Sequence, residues 1–308
     1  MKNMKLNLVL LGLALVAPLA IYPVFLMKVL CFALFACAFN LLLGFAGLLS
    51  FGHAVFLGSG AYVTGYLMLN VDGLTPEVGI LAGVAVSALI GFIYGKLAIK
   101  REGIYFAMVT LALAQLAFFF FLQAPFTGGE DGIQGIPRGK LFGLVDLSDN
   151  LNMYYFVLAV FIGGFALIYR TVHSPFGQVM KAIRENEPRA ISLGYKVNQY
   201  KLMTFVLSAT LAGLAGSTKA LVFQLASLTD VHWFMSGEVV LMTLLGGMGT
   251  IWGPVLGAGT IVSLQNFLAA GPLGSYVHVI MGLVFIVCVL AFRNGLVGEL
   301  QKLVKRNF

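Results

Sequence analysis

A chain of 308 residues that is 60% hydrophobic and only 10% charged departs far from the roughly 45–50% apolar and about 25% charged usage of water-soluble domains, so residues 1–308 read as a single transmembrane domain. Its formal charge of +7 does not point to nucleic acid, because the basic residues are dispersed between apolar runs and form no stripe with interleaved aromatics. Cys31, Cys37 and Cys288 each sit in an apolar segment with no His or second Cys at ligand spacing, which excludes a disulfide framework and a zinc site.

Backbone groups cannot go unpaired in hydrocarbon, so crossings must be helices of about 20 residues. Lys2 and Lys5 precede the first apolar run, 6–22, which reads as an uncleaved span: the alternative of a secretory signal lacks a small-x-small site after Ala20. Spans then follow at 24–43, at 50–69 with Gly52, Gly58, Gly60 and Gly65, at 78–99 and at 104–122. A glycine-rich loop, 123–152, leads to spans at 153–170 and, after a loop over 171–199, at 200–223. A short segment, 238–250, ends in Gly246, Gly247 and Gly249, and spans at 254–270 and 276–292 complete an all-α bundle of ten crossings with short or broken Gly-rich helices.

The charge bias supports this parse. With both termini inside, the inner side receives 15 of 19 basic residues and the outer side eight of twelve acids, as the positive-inside rule requires. Lys28 and Lys219 lie near span ends, where long side chains can reach the headgroups. Gly52-His-Ala-Val-Phe-Leu-Gly58-Ser-Gly60 is faintly echoed by Gly253-Pro-Val-Leu-Gly257-Ala-Gly259, a hint of two related halves that glycine abundance explains equally well.

Signatures of an energy source are missing. Gly91-Phe-Ile-Tyr-Gly95-Lys96-Leu97 has the wrong spacing for a phosphate loop and lacks the Ser or Thr that holds magnesium. His53, His173, His232 and His278 are scattered, and no Gly-x-Ser-x-Gly or His-Glu-x-x-His pattern occurs, which argues against an enzyme. Span interiors are nearly uncharged, so no coupling-ion site is expected. The path is passive or its energy is supplied from outside the chain.

The loop over 171–199 is far longer than two helices need to be joined. Ser174 can cap a helix with Pro175 at its first position, and Phe176, Val179, Met180 and Ile183 then share one apolar face while Lys181 and Arg184 face the headgroups. A second short helix around Pro188 would stop at Gly194. Such a knob serves either as a surface connector held by anionic lipid or as a docking site for a soluble partner.

Here Glu187-Pro-Arg-Ala190-Ile-Ser-Leu-Gly194 resembles the degenerate Glu-Ala-Ala coupling loop of ABC importer permeases. The resemblance narrows to the branched-chain (hydrophobic) amino acid permeases through Gly44-Phe-Ala-Gly-Leu-Leu-Ser-Phe-Gly-His53 running on to Tyr62, Gly103-Ile-Tyr-Phe-Ala-Met-Val-Thr-Leu-Ala112, Thr127-Gly-Gly-Glu-Asp-Gly-Ile-Gln-Gly-Ile-Pro137, the segment from Arg184 to Gly194, and Gly246-Gly-Met-Gly-Thr-Ile-Trp-Gly-Pro254. Two positions depart from the pattern: Leu48 stands where many relatives carry Gln, and Pro188 with Arg189 replaces two small residues.

The resemblance implies a non-catalytic membrane subunit of an importer in the bacterial inner membrane. Its implied partners are two ABC ATPase subunits, a second homologous permease and a periplasmic substrate-binding protein. ATP and Mg would be bound by the ATPases, with no cofactor in this chain. Arg184, Glu185, Glu187, Arg189, Ala190 and Gly194 would couple to the ATPase, and reversing charge at Arg184 or Glu187 would lower transport-coupled hydrolysis without blocking insertion. Gly47, Ser50, His53, Gly58, Gly60, Tyr62, Gly246, Gly247 and Gly249 are candidates for the translocation path, against the alternative of helix packing and interhelical hydrogen bonds. Thr127, Gly128, Gly129, Glu130 and Asp131 are candidates for docking the periplasmic binding protein, against a plain glycine turn. The alternatives are a permease for urea or short amides and a stand-alone channel.

Overall fold

The computed structural model describes residues 12, 14–71, 73–271, 276–291 and 295–298. Lys2, Lys5, most of the expected first span, Asp72, Arg293, Lys302, Lys305, Arg306 and the side chains of His278 and Cys288 lie outside the described residues.

Helix α1 (Pro23–Asn40) starts on a proline, whose fixed φ suits the first helical position, and runs into a π-helical turn, Leu41–Phe45. It is followed by α2 (His53–Asn70), α3 (Pro76–Ala98), α4 (Gly103–Gln123) and α5 (Asn150–His173). Next come α6 (Pro175–Glu185), α7 (Glu187–Ser192), α8 (Val197–Phe223), α9 (Trp233–Gly246), α10 (Gly253–Ala270) and α11 (Val277–Ala291). The two echoed segments thus open α2 and α10, each after a glycine-containing turn.

Helices α2, α3 and α8 pack together along their lengths, α1 gathers α5, α9 and α10, and the contact of α1 with α8 joins the two groups. Lipid tails are as apolar as leucine, so burial alone does not press these helices together; close packing and interhelical hydrogen bonds do. Both are present. Gly60 meets Gly213 so tightly that a Cβ on Gly60 would lie 2.4 Å from the Gly213 carbonyl oxygen. Beside that contact Ser217 donates to the Gly60 carbonyl at 3.1 Å, and Ser87 to the Phe56 carbonyl at 3.0 Å. Helix α4 lies on the flank, touching α2, α3 and α9 over short stretches and leaving Ile104, Tyr105, Met108 and Phe119 exposed.

Among the described residues five helices are long and apolar enough to cross a bilayer: Pro23–Phe45, Pro76–Ala98, Gly103–Gln123, Asn150–His173 and Val197–Phe223. The chain is a multi-pass membrane protein. Of the remaining expected crossings, α2 is interrupted by glycine and polar residues and α9 has only 14 residues. The loop from Gln123 to Asn152 also departs from an all-helical reading. Its strand β1 (Ile133–Gln134) pairs antiparallel with β4 (Leu225–Ala226), Ile133 opposite Ala226, and β2 (Lys140–Leu141) forms a hairpin with β3 (Val145–Asp146).

Candidate functional site

The knob forms as its sequence dictates. Ser174 Oγ accepts from the Gly177 N–H at 3.3 Å and Pro175 opens α6, while Asn186 Oδ1 accepts from the Arg189 N–H at 3.0 Å to cap α7. Gly194, with φ of +85°, ends it in the left-handed conformation that glycine adopts without strain. Met180 and Ile183 are buried, Phe176 stacks on Tyr200 at 5.4 Å, and Ala190 joins Ile183 and Val197 in a small core. Glu185 and Arg189 are exposed, together with Ile191, Leu193 and Tyr195, which sequence reasoning passed over as the end of a helix.

The basic face of α6 meets the end of α1. Arg184 Nη1 donates to the Gly44 carbonyl oxygen, and Lys181 Nζ sits 5.7 Å from the Phe45 ring centroid. The reason lies in the π-turn. Where the chain leaves helical geometry after Phe45, the Gly44 carbonyl is a helix-end acceptor that a guanidinium can reach. Gly47 makes the approach possible: its φ is +73°, and a Cβ there would lie 3.0 Å from Arg184 Cγ. Glu187 is likewise committed inward, its two carboxylate oxygens each 2.6 Å from Nζ of Lys201, a lysine only 5% exposed on α8.

The turn after α9 closes on the same spot. Asn40, buried in α1, accepts from the Gly249 N–H at 2.9 Å and donates to the Thr250 carbonyl at 2.8 Å. A Cβ on Gly249 would lie 3.4 Å from Arg184 Nη1, and one on Gly246 only 1.9 Å from the Gly253 carbonyl oxygen. Three segments far apart in sequence, 40–47, 184 and 246–253, therefore meet at one end of the bundle. Asn40 was missed, although a lone amide inside an apolar run was the available signal.

The other candidate path residues separate from this cluster. His53 is fully buried; the Ser208 hydroxyl donates to the Ala38 carbonyl, so it accepts from His53 Nε2–H at 2.7 Å, which assigns the tautomer. Nearby, the Phe51 N–H donates to Thr110 Oγ1, the Gly52 N–H to Ser50 Oγ and the Ala54 N–H to Ser236 Oγ, so the start of α2 ties together α1, α4, α8 and α9. Gly58 and Gly60 pack against Val231 and Gly213 and border no open space. Tyr62 does: it stacks on Phe121 at 4.8 Å and lines an apolar groove of about 680 Å³ between α2, α3 and α4, and its buried hydroxyl has no hydrogen-bond partner among the described residues.

Lys219 does not snorkel. It is 14% exposed and pairs with Asp230, itself 2% exposed, and the Phe32 ring centroid is 5.7 Å from its ammonium. A charge buried among apolar side chains is tolerated only when paired, and Asp230 supplies the pair.

The loop between α4 and α5 is pinned at the far end from the knob. Thr127 is buried and its hydroxyl donates to the Phe121 and Ala124 carbonyls, closing α4, while Gly128 and Gly129 take left-handed turns and Glu130 and Asp131 are exposed. Arg138 donates to the Val222 carbonyl and to Asn150 Oδ1, both at 2.9 Å, and to the Leu221 carbonyl at 3.3 Å. Burial lowers its pKa from the usual arginine value.

The fold and the keyed knob define a multi-pass membrane protein with a structured segment fastened to the ends of its helices. Residues 23–289 match the family described as branched-chain amino acid transport system, permease component, and the chain belongs to that family. It is 30% identical over 252 residues to the high-affinity branched-chain amino acid transport system permease protein LivM of Salmonella typhimurium, a match covering 74% of this chain and 59% of the relative. The chain thus spans less than two thirds of that relative's length. It is 23% identical over 287 residues to LivH of Escherichia coli K12, covering 87% of this chain and 91% of the relative. It is 28% identical over 255 residues to the ribose import permease protein RbsC of Bacillus subtilis, covering 78% and 74%. No solved structure matches.

Proposed function

We propose that this chain is one permease subunit of an ATP-driven importer of branched-chain and other hydrophobic amino acids in a bacterial inner membrane. One of two ATPases would dock on α6 and α7, a second permease would complete the path and engage the other ATPase, and a periplasmic binding protein would deliver substrate to the loop around Glu130. Similarity to both a LivM and a LivH of the Escherichia coli K12 system supports a pair of unlike permeases. Similarity to a permease named for ribose supports leaving selectivity to the binding protein, since related membrane subunits carry names of chemically unlike solutes.

The observation that carries the reading is the keying of the knob into the bundle. Closure of the ATPases draws on α6 and α7; Arg184 passes the movement to the π-turn and the Gly249 turn, and the Glu187–Lys201 pair passes it to α8. The two access states are then populated by differential contact with the motor. The topology in this reading is ten crossings with both termini inside. It is supported by Lys100 and Lys196 bordering one groove with Glu187 at the knob end, and by Glu77 accepting from the Phe142 N–H at the other.

Proteoliposomes test it. The chain assembled with its ATPases, sister permease and binding protein should take up leucine only with ATP, and the chain alone should stay idle. Uptake by the chain alone, driven by an ion gradient, would overturn the reading.

A further inference from the structure

Beside the knob, the turn joining α3 to α4 carries Lys100 and Arg101, both exposed and without an ion-pair partner among the described residues. Two grooves meet there. One, of about 570 Å³, lies between this turn and the start of α8 and is bordered by Lys100, Glu102, Glu187, Lys196, Asn198 and Gln199. The other, of about 750 Å³, starts at Lys100, Arg101 and Glu102 and continues along α4 over Tyr105, Met108 and Ala112. The first is polar at its rim and the second apolar along its length.

We infer that the joined grooves hold one anionic phospholipid, its phosphate on Lys100, Arg101 and Lys196 and one acyl chain along Tyr105, Met108 and Ala112. Charge favours this occupant. Against three cations stand Glu102 and Glu187, and Glu187 is already held by Lys201, so a net-negative headgroup is preferred over a zwitterionic one. Depth agrees: at 1.5 Å per residue, α4 carries the groove roughly 15 Å from Glu102 to Ala112, about the thickness of one hydrocarbon leaflet. Tyr105 and Met108 are 68% and 60% exposed, an apolar wall continuous with a basic rim. A soluble protein would have to offer a carboxylate ridge and an apolar ridge at that fixed offset, whereas a phospholipid has both covalently joined.

The test is native mass spectrometry of the purified full-length chain after mixing with equal amounts of phosphatidylglycerol, phosphatidylethanolamine and phosphatidylcholine. Wild type should retain phosphatidylglycerol preferentially and lose it as salt is raised. Lys100→Gln with Arg101→Gln should cut retention roughly tenfold or more, in line with about 1 kcal/mol per basic residue at a charged surface. Ala112→Trp, which fills the apolar arm and keeps the cations, should also cut it, while Lys140→Gln at the far end should not. Equal retention of the three lipids, unchanged retention in both groove variants, or displacement by glycerol phosphate as effective as by lipid would each overturn the site. The salt series needs only wild type, so a variant that fails to fold leaves the test intact, and none of these readouts depends on transport.

Discussion

Arg184 makes a contact that lysine cannot replace. A guanidinium presents several donors on a planar fork, whereas an ammonium is a compact point charge that would have to leave more water to reach the Gly44 carbonyl through the gap beside Gly47. Arg184→Lys is therefore expected to leave ATPase co-purification intact while substrate-stimulated hydrolysis and uptake fall together; loss of co-purification instead would make Arg184 a docking residue. Glu187 adds a structural role to the expected coupling role, because it pairs with a buried lysine. Removing its carboxylate strands Lys201, and breaking a buried pair from one side costs roughly 3–5 kcal/mol, an upper figure here because Glu187 is a quarter exposed. Glu187→Gln should lower the thermal midpoint in detergent, and the double variant with Lys201→Met should recover most of the loss. No recovery would mean that the pair is not what Glu187 contributes.

Elements were legible to different degrees. The knob could be read residue by residue because caps are local: Ser174 and Asn186 each bond an N–H three residues on, and Gly194 acts through its own φ. The long apolar helices were legible as apolar runs, with α1 and α3 starting at Pro23 and Pro76, just before the expected spans at 24 and 78. What stayed hidden is non-local. Nothing in the run around Arg138 announces that its fork closes the carbonyl end of α8 some 84 residues later, or that β1 finds β4. Because lone carbonyls at a helix end attract cations, Arg138 fastens this loop, and charge-assisted bonds of this kind are worth about 1.5–3 kcal/mol. Arg138→Lys should speed proteolytic nicking between 128 and 145 without altering helix content by circular dichroism; unchanged nicking would show that the strands alone hold the loop.

At the scale of the whole chain, the candidate site divides into an end cluster, where Gly47, Gly249 and Arg184 meet, and a row along α2, where Gly58 and Gly60 serve helix contact. Spacing could nominate all of these glycines because each tolerates close approach, but only the packed bundle distinguishes a turn from a seam. Sidedness can be measured. With Lys140→Cys and Tyr195→Cys placed singly, an impermeant thiol reagent added outside intact cells should label the first and not the second; the reverse pattern would invert the proposed topology. The Lys219–Asp230 pair also bears on how the protein is made. Lys219 is followed eleven residues later by its counterion, in the turn between α8 and α9, so the ammonium is neutralised by the segment directly after α8 and needs no later helix. A released chain truncated after Phe223 would carry an unmatched ammonium and should be handed to quality-control proteases, while one truncated after Val231 keeps the counterion within α8's own trailing turn.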